Sequence, residues 1–321
     1  MSVLLGGIKK QRLSISGIIL IGFLTVILLG TLLLSLPVSA RNGTSANLET
    51  SFFTAVASTC ITGLSVVDTG SYWSGFAQVV ILILIQTGGL GFMALWMMIF
   101  TITGKRASPR IRMMAAQSLN LPSSEGIWPL VMRMLRGTFI IEGVGALLLM
   151  VRFIPMFGFG TGIKLSVFHS ISAFCNAGID LMGAYYEPFG SFSAFSGDIW
   201  VNIVLCMLVL TGGIGFVVWS ELIDCKKYKK KLSLYSKMAV SISLALVVFG
   251  TAAILLLEYN NPCTLGALNP GSRVLSAFFH SVNARTCGFT TLKLSDMNAF
   301  TILIISFLMF VLFFVPKCSI L

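Results

Sequence analysis

Apolar runs long enough to cross a bilayer alternate along this chain with short charged segments. Charge-free stretches cover residues 13–36, 69–104, 199–220, 238–257 and 297–316. Each reaches the roughly 20 apolar residues that a transmembrane helix needs. A sixth, 137–151, is shorter and carries Glu142, but Arg136 and Arg152 at its ends can snorkel to the two interfaces and make the length workable. Six full spans are therefore predicted. Three further apolar stretches, 51–67, 165–179 and 274–282 with its continuation, are too short or too polar to cross. Their roughly 10–15 apolar residues suit segments that dip into the membrane and return.

The pattern is thus span, re-entrant segment, span, three times over. Repeat 1 covers residues 13–104 with its pore loop at 51–67, repeat 2 covers 131–224 with its loop at 165–181, and repeat 3 covers 236–321 with its loop at 274–291. Lys and Arg crowd into one set of connections, 9–12, 105–112, 133–136 and 226–237, with Lys317. The other set holds Arg41, Arg152, Lys164, Arg273, Arg285 and Lys293. Positive charge collects on the cytoplasmic side, so both termini are expected there. The first apolar run is too long for a cleavable signal, and no small-residue cleavage site follows it closely.

Composition agrees with a membrane protein. Charged residues make up 10% and hydrophobic residues 56% of 321, where a soluble domain carries about 25% charge. So few charges cannot cover a water-facing surface, and the chain is too apolar for disorder. The net charge of +11 sits between apolar spans, an arrangement set by topology rather than by nucleic acid. The seven cysteines show no C-x-x-C spacing and read as small buried residues. Two histidines, His169 and His280, read as packing or hydrogen-bonding residues of the re-entrant helices. No enzyme constellation appears: there is no phosphate-binding glycine loop, no triad and no metal cluster.

Aligning the re-entrant stretches on one glycine exposes a repeat. They read FFTAVASTCITGLSV (52–66), VFHSISAFCNAGIDL (167–181) and AFFHSVNARTCGFTT (277–291). Gly63, Gly178 and Gly288 align, preceded by the small Thr62, Ala177 and Cys287 and followed by the bulky Leu64, Ile179 and Phe289. Phe53, Phe168 and Phe278 stand ten positions earlier. The second spans of repeats 1 and 2 share TGG-x-GF, residues 87–92 and 211–216, a pattern that suits close helix packing through small residues.

Non-helical backbone at membrane depth is tolerated only where it is buried in protein or lines a water-filled path. Its unpaired carbonyls can replace the water shell of a cation, and the C-terminal end of a short helix adds partial negative charge. These turns carry almost no formal charge, with only Arg285 and Asp180 close by, which favours monovalent cations. Residue types alone leave K⁺ and Na⁺ both open.

The segments CITGLSVVDTG (60–70), FHSISAFCNAGID (168–180) and SVNARTCGFTT (281–291), with the paired TGG-x-GF spans, resemble the membrane subunit of the Trk/Ktr/HKT potassium-uptake superfamily, most of all its bacterial Ktr type. The resemblance implies an all-α integral membrane protein of four span–loop–span repeats around a pseudo-symmetric ion pore. It implies K⁺ uptake across the bacterial plasma membrane, often dependent on Na⁺, by a homodimer seated on a cytosolic nucleotide-binding regulatory subunit of RCK/KTN type. Carried over, Ile61, Thr62 and Gly63 would coordinate K⁺ through backbone carbonyls in the first loop. Asn176, Ala177 and Gly178 would do so in the second, and Thr286, Cys287 and Gly288 in the third.

Two departures shape the expectation. After Phe310 the chain reads VLFFVPKCSIL where the family pattern continues into a Gly/Ser-rich gate, and a fourth repeat is absent. A shortened, non-conducting remnant is therefore the alternative reading. A secondary transporter built on inverted repeats fits less well, because all three units enter from the same side. Glu142 is expected to face the bundle interior with a hydrogen-bond partner or to be protonated, a place on the cation path being the alternative, and Arg285 to pair with an acid such as Asp296 or Asp180 or else to shape the outer field. The run 226–231 is expected to be a topology signal or an anionic-lipid contact, with a contact to the regulatory ring as the alternative.

Overall fold

The computed structural model describes residues 15–91, 113, 127–215, 218–222, 225 and 232–314, with side chains left undescribed at 15, 16, 127, 285, 286 and 312–314. Among these residues the secondary structure is helical, with no strand and one isolated bridge between Ala40 and Trp73.

Three units follow one another, each a helix, a shorter re-entrant helix and a second helix. The first holds α1 (Ile15–Leu34), α2 (Leu48–Thr59) and α3 (Gly75–Leu90). The second holds α4 (Ile127–Phe157), α5 (Phe159–Phe174) and α6 (Ile199–Ile214), and the third α7 (Leu234–Glu258), α8 (Pro270–Thr286) and α9 (Ala299–Phe314). Side chains mark the starts. Ser74, Asp198 and Ser233 cap α3, α6 and α7 by accepting from the backbone N–H groups of Ala77, Val201 and Ser236, which satisfies donors that a helix start leaves open. Pro270 opens α8, where a missing N–H does no harm.

α1, α4 and α7 are long and apolar enough to cross a membrane, whereas the apolar helices 75–90, 199–214 and 299–311 are shorter. The predicted spans 69–104, 199–220 and 297–316 include residues outside the described ones, so these shorter helices are the described parts of those spans. The charge-free stretch 69–104 begins with a separate turn, Thr69–Tyr72, and its helix stops at Gly91, where φ is +78°. The stretch 199–220 behaves alike, stopping at Gly215 with φ +91°. These two glycines occupy the same place in the TGG-x-GF pattern, so the pattern ends a helix as well as packing one. In the other direction, α4 runs for 31 residues, well past the predicted 137–151. α5 and α8 also start earlier than predicted. Lys164 and Arg273 looked like boundaries but lie inside the helices. Arg273 is solvated there by the carbonyls of Leu268 and Gly266 and lies over the Tyr259 ring.

Each unit packs internally, and the units are joined in sequence: α5 lies against α3 of the preceding unit, and α8 lies against α6. The main core forms where the second unit meets its neighbours, around Phe168, Phe174, Ile179, Phe192, Phe195, Val282 and Phe289. Outward faces are apolar too, as with Leu24, Leu28, Leu32, Ile140, Leu147, Leu244 and Val248. That suits a lipid surround, which rewards apolar surface outside as well as inside.

Candidate functional site

The three aligned glycines come together. A Cβ placed on Gly63 would lie 3.1 Å from the Ala177 carbonyl oxygen and 3.5 Å from the Gly288 Cα. One placed on Gly288 would lie 3.3 Å from Gly63 O and 3.4 Å from Gly178 O, and one on Gly178 would collide with the backbone N and Cα of Gly288. Main-chain oxygens from two units thus lie close to the same point on the third, with little room for a side chain there and none at Gly178.

Local sequence explains the first two turns. α2 ends with Cys60, and Ile61 turns left-handed at φ +56° while the Thr62 N–H donates to Ala57 O at 3.0 Å. α5 ends with Cys175, Asn176 has φ +58°, and the Ala177 N–H donates to Ser172 O at 2.8 Å. This is a Schellman ending repeated position for position. Gly63 and Gly178 are left-handed again, at φ +71° and +66°. The sign of φ therefore alternates through 61–63 and 176–178. Asn tolerates this conformation, whereas a β-branched Ile there is an outlier. Strain of this kind, about 1–3 kcal/mol, concentrates at functional sites.

The third turn is built differently. Thr286 is the last residue of α8, Cys287 is extended at φ −127°, and its N–H donates to Asn283 O at 2.9 Å in helical register. Neither Thr286, Cys287 nor Gly288 is left-handed. All nine expected site residues lie at these three turns, with Thr286 still helical.

The strands returning from the turns are held by side chains. The Leu181 N–H donates to His169 Nε2 at 3.1 Å, so the proton sits on Nδ1, which donates to Leu165 O at 2.7 Å. In the third unit His280 Nε2 accepts from the N–H groups of Thr291 and Leu292 at 3.3 and 3.0 Å. Ser172 Oγ donates to Ile179 O at 2.6 Å. The expected hydrogen-bonding role of the histidines is met by a specific task, which is tying each descending strand to its own short helix.

A strap that sequence reasoning missed joins the three units above the turns. Asp68 accepts from Ser71 N and, in the next unit, from Phe189 N at 3.2 Å. The Phe192 N–H donates to Thr290 O at 2.9 Å, and Lys293 pairs with Glu187 at 2.7 Å. That ion pair, outside the spans, lowers the Glu187 carboxyl from its ordinary value and raises the Lys293 ammonium. Phe189 and Ser191 are left-handed, at φ +58° and +44°. No period or motif announced this segment, and the nearest signal was the acid five residues after Gly63.

The TGG pattern supports the turns from behind. A side chain on Gly88 would meet the Thr59 carbonyl, and one on Gly212 would meet that of Phe174. Both carbonyls lie four residues before the aligned glycines. Glu142 is 4% exposed and accepts from Gln86 Nε2 at 3.1 and 3.0 Å, the partnered interior position expected of it. The side chain of Arg285, the run 226–231, Phe92, Phe216 and Cys318 lie outside the described residues. The described residues contain no cluster of three or more His, Cys, Asp or Glu able to hold a metal ion. What the geometry offers a cation is uncharged main-chain oxygen at the C-terminal ends of short helices, where the helix dipole is negative.

The TrkH family of cation transport proteins matches residues 18–312. The chain belongs to this family. Similar proteins include the "Potassium/sodium uptake protein NtpJ" of Enterococcus hirae, 35% identical over 302 residues, which are 94% of this chain and 65% of that protein. The "Ktr system potassium uptake protein B" of Bacillus subtilis is 37% identical over 304 residues, 95% of this chain and 66% of that one. Its namesake in Vibrio alginolyticus is 34% identical over 297 residues, 92% and 63% respectively. The chain therefore spans about two thirds of the length of these relatives. As a TrkH protein it is a helical membrane protein of a transport family rather than of an enzyme family.

Proposed function

We propose that this chain is the pore-forming part of a Trk/Ktr-type system that carries K⁺ into the cell, with Ile61, Thr62, Gly63, Asn176, Ala177, Gly178, Thr286, Cys287 and Gly288 lending backbone carbonyls to the ion. The observation that carries this reading is the meeting of Gly63, Gly178 and Gly288, with the carbonyl oxygens of the first two lying close to the third glycine. K⁺ is the cargo and Na⁺ a coupling or competing ion, in keeping with the names of the relatives. In this reading the three span–loop–span units, 13–104, 131–224 and 236–321, surround the ion path. Both termini lie in the cytoplasm of a bacterial cell. Two copies assemble on a cytosolic nucleotide-binding regulatory subunit of RCK/KTN type.

Rubidium uptake into cells stripped of their own K⁺ systems tests the proposal. Cells making this chain should accumulate rubidium saturably, K⁺ should compete, and Gly178→Ala should reduce uptake by about tenfold or more, equivalent to ~1.4 kcal/mol. Absence of uptake with the chain verified in the membrane, or unchanged uptake by the Gly178→Ala variant, would overturn it. Co-purification with a nucleotide-binding ring, tested separately, addresses the assembly.

A further inference from the structure

Away from the turns, α4 and α6 leave an apolar trough between them. Ile140, Val144 and Leu148 form one wall, four residues apart along α4, and Ile199, Ile203 and Met207 form the other at the same spacing along α6. Residues four apart stack on one helix face, so these are two facing ridges. Gly145, Val204 and Leu208 are buried between them and make the floor. The trough encloses about 660 Å³. The lone lining hydroxyl, Thr211 Oγ1, already donates to its own helix at Met207 O and Leu208 O. Apart from an acceptor lone pair on Thr211, a polypeptide laid here would find little to hydrogen-bond among the lining side chains.

One end of the trough is chemically distinct. The α4 ridge continues one turn beyond Leu148 to Arg152, whose Nε donates to Asp198 Oδ2 at 2.6 Å while 53% of the side chain stays exposed. Trp200 stands beside it with its indole N–H fixed on Leu148 O at 2.8 Å. Tryptophan and arginine with an apolar body below them mark the membrane–water boundary. From Ile140 to Arg152 is twelve residues, ~18 Å of helix at 1.5 Å each. One leaflet of a bilayer's hydrocarbon core is ~15 Å deep. The length of the trough thus matches one leaflet, and its cationic end falls at headgroup depth.

We propose that this trough is a phospholipid site, holding one acyl chain between the α4 and α6 ridges with the lipid phosphate on Arg152. The occupant is a glycerophospholipid of the leaflet on the side where the re-entrant helices enter. Asp198 keeps the guanidinium in place through Nε and also caps α6, so the lipid contact and the start of α6 are linked.

The test needs no transport activity. The purified chain is reconstituted in phosphatidylcholine vesicles doped with phosphatidylglycerol whose tails carry bromine, which quenches nearby indoles. The Trp200 share of the emission is taken as the difference between the wild type and Trp200→Phe. Half-quenching should occur at a bromolipid fraction well below that expected for random contact. It should need about tenfold more bromolipid in Arg152→Gln, and should vanish in the double variant Val144→Phe/Ile203→Phe, which fills the trough and keeps Arg152. Quenching that follows bulk composition and ignores both variants would overturn the proposal. So would efficient disulfide bonding between two copies of a Val144→Cys variant in membranes, because the trough would then be covered by a second chain.

Discussion

Gly178 is constrained twice, once by its own φ of +66° and once by the backbone of Gly288 against its missing side chain. Gly43 provides an internal control, with φ +70° and nothing within 4 Å of an added Cβ. A left-handed conformation alone costs an L-residue roughly 1–2 kcal/mol, so Gly43→Ala should lower stability by about that amount. Gly178→Ala should lower it several-fold more, because the obstructing atoms are backbone and cannot rotate away. Thermal unfolding of the two purified variants in one detergent reads the difference, and equal shifts would show that the turns do not touch. The alignment made the glycines visible in the sequence. The left-handed Ile61 was not, because a β-branched residue argues against that conformation; only its equivalence to Asn176 gives it away. The differently built third turn was hidden for the opposite reason, since TCG satisfies the same size pattern as ITG and NAG.

At the level of helices, the short spans are as informative as the long ones. Hydropathy registers apolar content and is blind to φ, so it ran 69–104 and 199–220 through Gly91 and Gly215 without a break. The same blindness shortened α5 and α8 at Lys164 and Arg273, charges that helix ends and nearby carbonyls accommodate. What the sequence did carry was TGG, whose first glycine admits the carbonyl of Thr59 in one unit and of Phe174 in the next. Gly212→Ala should therefore displace the end of α5 and reduce rubidium uptake strongly, and normal uptake by that variant would dismiss the supporting role. The histidine struts make a separate prediction. Replacing His280 by Ala leaves the buried N–H groups of Thr291 and Leu292 without their acceptor, a loss of about 1–3 kcal/mol for an unsatisfied buried donor. Hydrogen exchange in residues 289–293 should accelerate markedly, while the His169-held strand at 179–182 keeps its protection. Equal acceleration of both strands would mean general unfolding instead of the loss of one strut.

Across the whole molecule, the order of packing links units that are far apart in sequence. α5 rests on the first unit's α3, α8 rests on the second unit's α6, and the strap from Glu187 to Phe192 reaches Asp68 on one side and Thr290 on the other. The consequence is that Gly63 and Gly288, more than two hundred positions apart, lie beside each other. Substitutions at sites in contact are non-additive by about 0.5–3 kcal/mol, whereas sites without shared partners add within a few tenths. A double-mutant cycle follows directly. Gly63→Ala with Gly288→Ala should show a coupling energy within that range, because each added methyl would lie about 3.5 Å from the Cα of the other position. Gly63→Ala with Gly43→Ala should be additive, as Gly43 faces open space. Unfolding free energies for the single and double variants supply both cycles. If the Gly63–Gly288 pair proved additive as well, the three turns would not share a centre, and a pathway for an ion between them would lose its geometric basis.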